Sequence, residues 1–384
     1  MPRFPQAASS VAGMAGSLYS SLAHRLADFR GEAYPFHVGD TWLEPPQGCR
    51  MEDLRVEEYP GLHRYASPRG RPRLIDAVVE RVRARTGVPT ERDDVLISAG
   101  ATGGLAAVLG AILEPGDEVL VLAPYWPLID GIVRCCHARP VAVPFIGEVD
   151  SPETAVERVR RFLSERTAAL YVSTPNNPTG VVLPRAWIEA LVDWAVGQRL
   201  WIVSDEVYED YVYRGSHTYA RALAPERTFS AHSFSKAFGM AGNRCGYVVG
   251  PAGAMGEPCK VSTHAFYSTP TASQVAAERA LDGRGDAWIA GIRDSYEQAG
   301  RHGAGRLGLE PPAGSTFLFL DVADRLDDRG LLGLLEDCAD RGLFLAPGPS
   351  FGPYPTHVRL CFTCAPPEAV ARGVAHLAEL LGRG

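Results

Sequence analysis

Short runs of apolar residues recur along much of the chain, at Val95–Ser98, Glu118–Ala123, Ala168–Ser173, Leu200–Asp205, Thr228–His232 and Gly246–Gly250. Several are rich in Val, Ile and Leu, and turn residues bound them, which predicts strands buried on both faces. Between them, at Gly103–Leu113, Pro152–Glu165 and Pro184–Gln198, apolar positions fall three and four apart, the spacing of a helix with one buried stripe. Strands alternating with helices predict a parallel, doubly wound α/β sheet. After about Gly283 the pattern changes to longer helical stretches, at Trp288–Leu307, Leu331–Arg341 and Glu368–Leu381, mixed with strands at Thr316–Val322 and Thr356–Thr363. That mixture predicts a second, smaller α+β domain. Residues 1–42 are too few for a domain of their own and are expected to pack against the C-terminal part, with Arg3–Ala27 forming an ordered arm or helix.

The chain has 384 residues, 46% of them apolar and 22% charged, an ordinary globular composition that excludes collagen, coiled coil and wholesale disorder. A net charge of −7 argues against a broad nucleic-acid footprint. No apolar run approaches the roughly 18 residues of a membrane span. Eight cysteines, including the adjacent Cys135 and Cys136, do not make a small secreted disulfide framework and fit a reducing cytoplasm. Cys361 and Cys364 have metal-ligand spacing, but no second pair lies near and the segment reads as a strand, whose residues three apart face opposite sides. No metal is expected.

One asymmetry narrows the chemistry: of 38 basic residues, 36 are Arg and only Lys236 and Lys260 are Lys. Arginine-rich coding explains the total. Arg stays protonated and cannot form a Schiff base, so any reaction needing a lysine amine has two candidates.

In open α/β sheets ligands collect outside the carboxyl ends of the strands, so the residues that follow each strand are the informative ones. After Val95–Ser98 comes Ala99-Gly-Ala-Thr-Gly-Gly104, a turn of small residues that can present backbone N–H groups to a phosphate, or simply join strand to helix closely. After Ala168–Ser173 comes Thr174-Pro-Asn-Asn-Pro-Thr-Gly180, which holds two of the chain's three Asn between prolines; it reads equally as an aimed amide and as a plain turn. Leu200–Asp205 ends in a carboxylate, with Glu206 beside it and Tyr208 three further on. Buried there, Asp205 must be paired or hydrogen-bonded. Ser233-Phe-Ser-Lys236 and the following residues to Arg244 form the most telling segment, because a lysine between an apolar strand and small residues is desolvated, which lowers its pKa and exposes a nucleophilic amine.

These segments, in this order, resemble the fold-type I, pyridoxal 5'-phosphate-dependent enzymes of the class I/II aminotransferase superfamily. The resemblance covers essentially the whole chain and rests on Tyr65-Ala-Ser-Pro-Arg-Gly, Ala99-Gly-Ala-Thr, Pro124-Tyr-Trp-Pro, Thr174-Pro-Asn-Asn-Pro-Thr-Gly, Ser204-Asp-Glu-Val-Tyr, Ser233-Phe-Ser-Lys to Arg244, and Phe351-Gly followed by Val358-Arg-Leu. It implies a large cofactor-binding domain over residues 43–282, and a small domain made of residues 1–42 and 283–384.

Carried over residue by residue, it makes Lys236 the lysine that forms an aldimine with the cofactor and later carries the proton. Asp205 would pair with the pyridine nitrogen. Asn177 and Tyr208 would bond the ring hydroxyl, and Trp126 would stack on the ring face. The phosphate would be held at Gly100, Ala101 and Thr102 and by Ser233 and Arg244, with Tyr65 reaching across from a second subunit, which implies a homodimer. Arg359 would take the substrate carboxylate in a two-bonded fork, helped by Asn177 and the backbone at Gly39. Lys260 has no place in this scheme and reads as a surface or interface residue.

Two features depart from the commonest pattern of the family. Gly39-Asp-Thr-Trp-Leu-Glu-Pro-Pro46 replaces a Gly-Glu-Pro-Asp-Phe-like turn and puts Asp40, Trp42 and Glu44 near the expected substrate entrance; the phosphate turn has Ala101 and Thr102 where relatives often have Gly or Lys. The expected reaction is transfer of an amino group from an L-amino acid to a 2-oxo acid. The alternative is a lyase or cyclase acting on a biosynthetic, possibly basic, amino acid, since the same lysine, aspartate and arginine serve either. An oxoamine synthase would stack His where this chain has Trp126, and a winged-helix regulator would need a far longer N-terminal segment.

Overall fold

The computed structural model describes residues 6–12, 14 and 20–383. Seven strands form the larger sheet: β1 (Val95–Ser98), β2 (Glu118–Ala123), β3 (Arg139–Pro144), β4 (Thr167–Ser173), β5 (Trp201–Asp205), β6 (Thr228–Ser233) and β7 (Gly246–Val249). Their order is β1-β7-β6-β5-β4-β2-β3. Neighbours from β3 through β6 run parallel, and β7 alone is reversed, antiparallel to both β6 and β1.

Alternation along each strand divides the apolar side chains between two layers of helices. Val119, Val121, Tyr171 and Val203 face Leu105, Val108, Ile129 and Val133 of helices Gly100–Ile112 and Leu128–Cys135. Leu120, Leu122, Leu170 and Ile202 face Ala155, Val159, Ile188 and Leu191 of helices Pro152–Arg160 and Arg185–Gly197. Burial on both faces is why these strands read as unbroken apolar runs.

β3 escaped the sequence reading. It begins and ends with a proline neighbourhood, Arg139-Pro-Val-Ala-Val-Pro144, and proline breaks a strand prediction; it is tolerated here because β3 is the edge of the sheet, with an unpaired side where no N–H is needed. Helices Pro72–Thr86, Leu128–Cys135, Gly256–Phe266 and Thr271–Arg279 were not singled out by periodicity either.

Helix Thr271–Arg279 runs through a kink at Asp282 and Gly283, where Gly283 takes φ +100°, into the long helix Gly285–Leu307. Beyond it lies an antiparallel sheet of β8 (Phe317–Asp321), β9 (Ala346–Pro347) and β10 (His357–Cys361) in the order β8-β10-β9. Ala304, Leu307, Val374 and Leu377 of the flanking helices Gly285–Leu307 and Pro367–Leu380 cover it. β10 stops at Cys361, short of the predicted Thr363: the chain turns there, and Cys364 Sγ donates back to the Cys361 carbonyl at 3.2 Å.

Of the N-terminal arm, helix Ser20–Asp28 packs on helix Gly330–Ala339, where Arg25 pairs with Asp340 at 2.8 Å, and Tyr34 bridges to Leu343. The short helix Ser9–Ala12 lies instead against Leu128–Cys135. Residues 1–5, 13 and 15–19 of the expected arm lie outside the described residues.

Candidate active site

The carboxyl ends of β1, β2, β4, β5 and β6 surround an open cavity of about 110 Å³. Residues at or just after the ends of β1 (Ala101, Thr102), β2 (Trp126), β4 (Asn177), β5 (Asp205, Tyr208) and β6 (Ser233, Lys236) line it, with Arg244 entering just before β7.

Asp205 closes the floor. It is 4% exposed, and its Oδ2 accepts a 2.6 Å hydrogen bond from the hydroxyl of Tyr171, itself fully buried in β4. Val207 N–H donates to Oδ1 at a longer 3.4 Å. Parallel pairing sets Ser173 opposite Asp205, so Tyr171, two residues earlier, projects from the same face of the sheet and reaches forward to the carboxylate. Burial pushes the Asp205 carboxyl up to about 6, against the Tyr171 and Val207 hydrogen bonds that favour its charge. No basic side chain within hydrogen-bond reach balances it among the described residues.

Lys236 sits in the short helix Phe234–Ala237, whose N-cap Ser233 accepts from Ser235 N–H at 3.0 Å. Its Nζ donates to the Gly39 carbonyl at 2.5 Å. Burial lowers the amine's pKa, the Arg359 and Arg244 guanidiniums lower it further, and the Asp40 carboxylate only partly restores it. Lys260 is 68% exposed and pairs with Glu257 at 2.7 Å, far from any such environment.

Helix Gly100–Ile112 starts at the cavity with no side chain capping it, which leaves its first N–H groups facing the opening. Gly100 takes φ +67°, and a Cβ there would lie 2.6 Å from Arg244 Nη2, so the guanidinium is laid directly along this turn. Arg244 itself adopts φ +50° and is anchored through Nη1 to the Ala241 carbonyl at 2.8 Å.

Arg359 projects from β10 and is 3% exposed. Its Nη1 donates to Asn177 Oδ1 at 3.0 Å and its Nη2 to the His37 carbonyl at 2.6 Å, while the guanidinium carbon lies 4.3 Å from the Phe317 ring centre and 5.0 Å from that of Phe351. Gly39 must be glycine-sized, because a Cβ would meet Phe317 Cζ at 2.9 Å. Asp40 and Thr41 continue this strap: the Asp40 carbonyl accepts from Thr363 Oγ1 at 2.8 Å, and Thr41 bonds Tyr296.

The structure therefore brings together Gly100, Ala101, Thr102, Trp126, Asn177, Asp205, Tyr208, Ser233, Lys236 and Arg244, with Gly39 and Arg359 at the rim. Tyr65 is apart from them. It is 84% exposed and packs edge-on against Tyr267, with ring centres 4.8 Å apart. Sequence reasoning missed Tyr171; the available signal was a tyrosine inside an apolar strand, whose hydroxyl must find a partner once buried. It also missed the opposite face of the β5 end, where His232 Nδ1 lies 2.9 Å from Glu209 Oε1 and Arg85 pairs with Glu209 at 2.7 Å. Glu206, Glu209 and His232 are the one group of acids and imidazoles among the described residues close enough to hold a metal ion, and Arg85 already supplies the cation that Glu209 needs.

The floor, turn and rim fit a planar, phosphorylated pyridine aldehyde. A buried carboxylate lacking a cationic partner suits a protonated ring nitrogen, an uncapped helix N-terminus beside a guanidinium suits a phosphate, and a desolvated amine suits an aldehyde carbon.

The family model described as aminotransferase class I and II matches residues 35–377. An aspartate/prephenate aminotransferase of Thermus thermophilus is 34% identical over 90% of each chain, and an arginine–pyruvate transaminase of Pseudomonas aeruginosa is 33% identical over 83% of this chain and 84% of that one. The solved structure of Thermus thermophilus aspartate aminotransferase with maleate superposes with a TM-score of 0.89 at 30% identity, covering 98% of this chain and all of that one.

Proposed function

This chain belongs to the class I and II aminotransferase family and is an aminotransferase; from that premise we propose that it works with pyridoxal 5'-phosphate, as a homodimer, on an L-amino acid bound by its α-carboxylate to Arg359. The observation that carries the reading is a buried carboxylate, Asp205, and a desolvated amine, Lys236, lining one cavity. When bound, the cofactor supplies the carbonyl that accepts the amino group and a ring that stabilises negative charge at the substrate α-carbon.

Each side chain then has a defined task. Asp205 holds the ring nitrogen and keeps it protonated. Asn177 and Tyr208 hold the ring hydroxyl, and Trp126 covers a ring face. The N–H groups at Gly100, Ala101 and Thr102, with Ser233 and Arg244, hold the phosphate. Lys236, uncharged more readily than an ordinary lysine, would carry the proton from the substrate α-carbon to the cofactor carbon that receives the amino group. Arg359, oriented by Asn177 and the His37 carbonyl, presents its guanidinium to the carboxylate.

Tyr65, exposed beside Tyr267, is free to serve a neighbouring copy's phosphate site, which sedimentation and a Tyr65→Phe affinity measurement would test. The kink at Asp282–Gly283 supports a division into a large domain over residues 43–282 and a small one over residues 1–42 and 283–384. No helix among the described residues is long and apolar enough to cross a membrane, and eight free thiols favour a reducing compartment such as the cytoplasm.

On the donor's side chain, the Asp40 carboxylate is the strongest charge acting on Lys236 and favours a neutral or basic group over an acidic one. The test is a visible spectrum of the holoenzyme titrated with acidic, aromatic, aliphatic and basic amino acids, without acceptor. An aminotransferase shows a stoichiometric change that a 2-oxo acid reverses, and the responding amino acid names the donor class. A change that reverts unaided would instead mark a lyase or cyclase.

A further inference from the structure

We propose that Tyr171 is a positioning residue for the cofactor's ring nitrogen: its hydroxyl, from inside the sheet, holds Asp205 Oδ2 and so fixes the orientation and charge of the carboxylate that must meet that nitrogen. The proposal rests on the reading of Asp205 given above and adds to it a residue that no site motif contains.

The geometry is specific. The hydroxyl-to-carboxylate distance of 2.6 Å is that of a strong hydrogen bond to a charged acceptor. Tyr171 is fully buried, and its ring packs in the apolar layer with Val121 and Val203, so its hydroxyl is confined to the polar end of that layer, where Asp205 and the Ser173 side chain lie. Asp205 is also buried and, among the described residues, has one other hydrogen-bond donor, the more distant Val207 N–H at 3.4 Å. Two effects follow. Rotation of the carboxylate about its Cβ–Cγ bond is opposed, because turning would break a 2.6 Å hydrogen bond from a buried phenol. Charge on the carboxylate is favoured, because the hydrogen bond is to the ionised form. A phenylalanine in the same place would fill the same volume and do neither.

The register explains why this position can act. Ser173 pairs with Asp205 and Tyr171 with Val203, so a side chain long enough to span one pleat repeat on the same face arrives at the carboxylate. Phe there would fill the core as Tyr does; the hydroxyl is the part that the packing does not need.

The test measures equilibrium binding of two ligands to the apoprotein: pyridoxal phosphate and its analogue with carbon in place of the ring nitrogen. Tyr171→Phe is expected to weaken pyridoxal phosphate about ten-fold, the low end for one hydrogen bond to a charge, and to leave the carbon analogue within about two-fold of wild type. On an Asp205→Asn background the Tyr171→Phe effect should vanish. Equal weakening of both ligands would show that the substitution merely disturbs packing, and no weakening of either would show that the hydroxyl is not used; each overturns the proposal. A collapsed variant binds neither ligand, so the analogue also reports folding. If the wild-type protein itself holds both ligands equally, Asp205 does not grip the ring nitrogen, and the reading of the site falls along with the proposal before any variant is compared.

Discussion

Arg359 Nη1 donates to Asn177 Oδ1 at 3.0 Å, and this bond joins the small antiparallel sheet to the loop that follows β4 of the large one. The guanidinium is thereby held in one orientation between two phenylalanine rings, buried but hydrogen-bonded, as a buried charge must be.

Arg359→Ala is therefore expected to raise KM for the amino donor about ten- to a hundred-fold, with a smaller fall in kcat, since each hydrogen bond to the carboxylate is worth about 1.5–3 kcal/mol. Arg359→Lys keeps the charge but not the fork, and should fall between. Steady-state kinetics on the responding amino acid decides, and an unchanged KM would place the carboxylate elsewhere.

Lys236→Ala should abolish turnover. Borohydride treatment of the holoenzyme followed by peptide mass mapping is expected to find the cofactor's mass on Lys236 and none on Lys260, whose amine is exposed and paired with Glu257. Mass attached at Lys260, or retained in the Lys236→Ala protein, would overturn the assignment.

Gly246→Ala should loosen the phosphate turn. A Cβ at Gly246 would lie 2.6 Å from the His232 carbonyl and 2.7 Å from Ala101 N, both backbone atoms that cannot swing aside. We expect about 1–3 kcal/mol of destabilisation from overpacking, read as a lower Tm, together with weaker phosphate and cofactor binding. Gly242→Ala, where nothing lies within 4 Å of the added carbon, is the control.

Stability should depend on pH through the pair behind the sheet. Despite burial, Glu209 and Glu206 raise the pKa of His232, and the Arg85 and His232 charges hold Glu209 well below the usual carboxylate range. A raised histidine stabilises the fold below its unfolded value of 6.5, and that contribution is lost as pH rises through the higher folded value. A depressed carboxylate stabilises above its unfolded value of 4.5 and is lost as pH falls. The pair is thus at full strength between 4.5 and 6.5. The groups facing it are Arg85, Arg81, Glu206, Ser230, the hydroxyl of Tyr219 and the stacked ring of Tyr247. Tm of the wild type should decline from pH 6.5 toward 8, and His232→Gln should lower Tm below that window's upper edge and flatten the decline. Identical slopes for the two proteins would contradict the charge assignment.

Much of this protein was legible in one dimension. Strands buried on both faces announce themselves as mostly apolar runs because both faces pack against helices, and the candidate site residues follow them because ligands collect at strand ends. The scarcity of lysine singled out Lys236, and the order of the motifs identified the family. Proximity across the chain was not legible. Periodicity says that Tyr171 is buried but not that its hydroxyl meets Asp205, since that depends on the parallel register of β4 on β5. Nor does it say that β3, framed by prolines, is a strand, because only the order of strands makes it an edge. The sequence by itself determined the alternation of strands and helices, the family and the choice of Lys236 as the candidate amine, all of which are local or ordered along the chain. Only the tertiary structure decided which charges share a cavity: that Arg359 locks onto Asn177, that Lys236 is roofed by Gly39 and faces Asp40, and that Tyr65 stands outside its own chain's cavity. Those relations join residues far apart in sequence, and their energies depend on distance and burial, which a one-dimensional pattern does not contain.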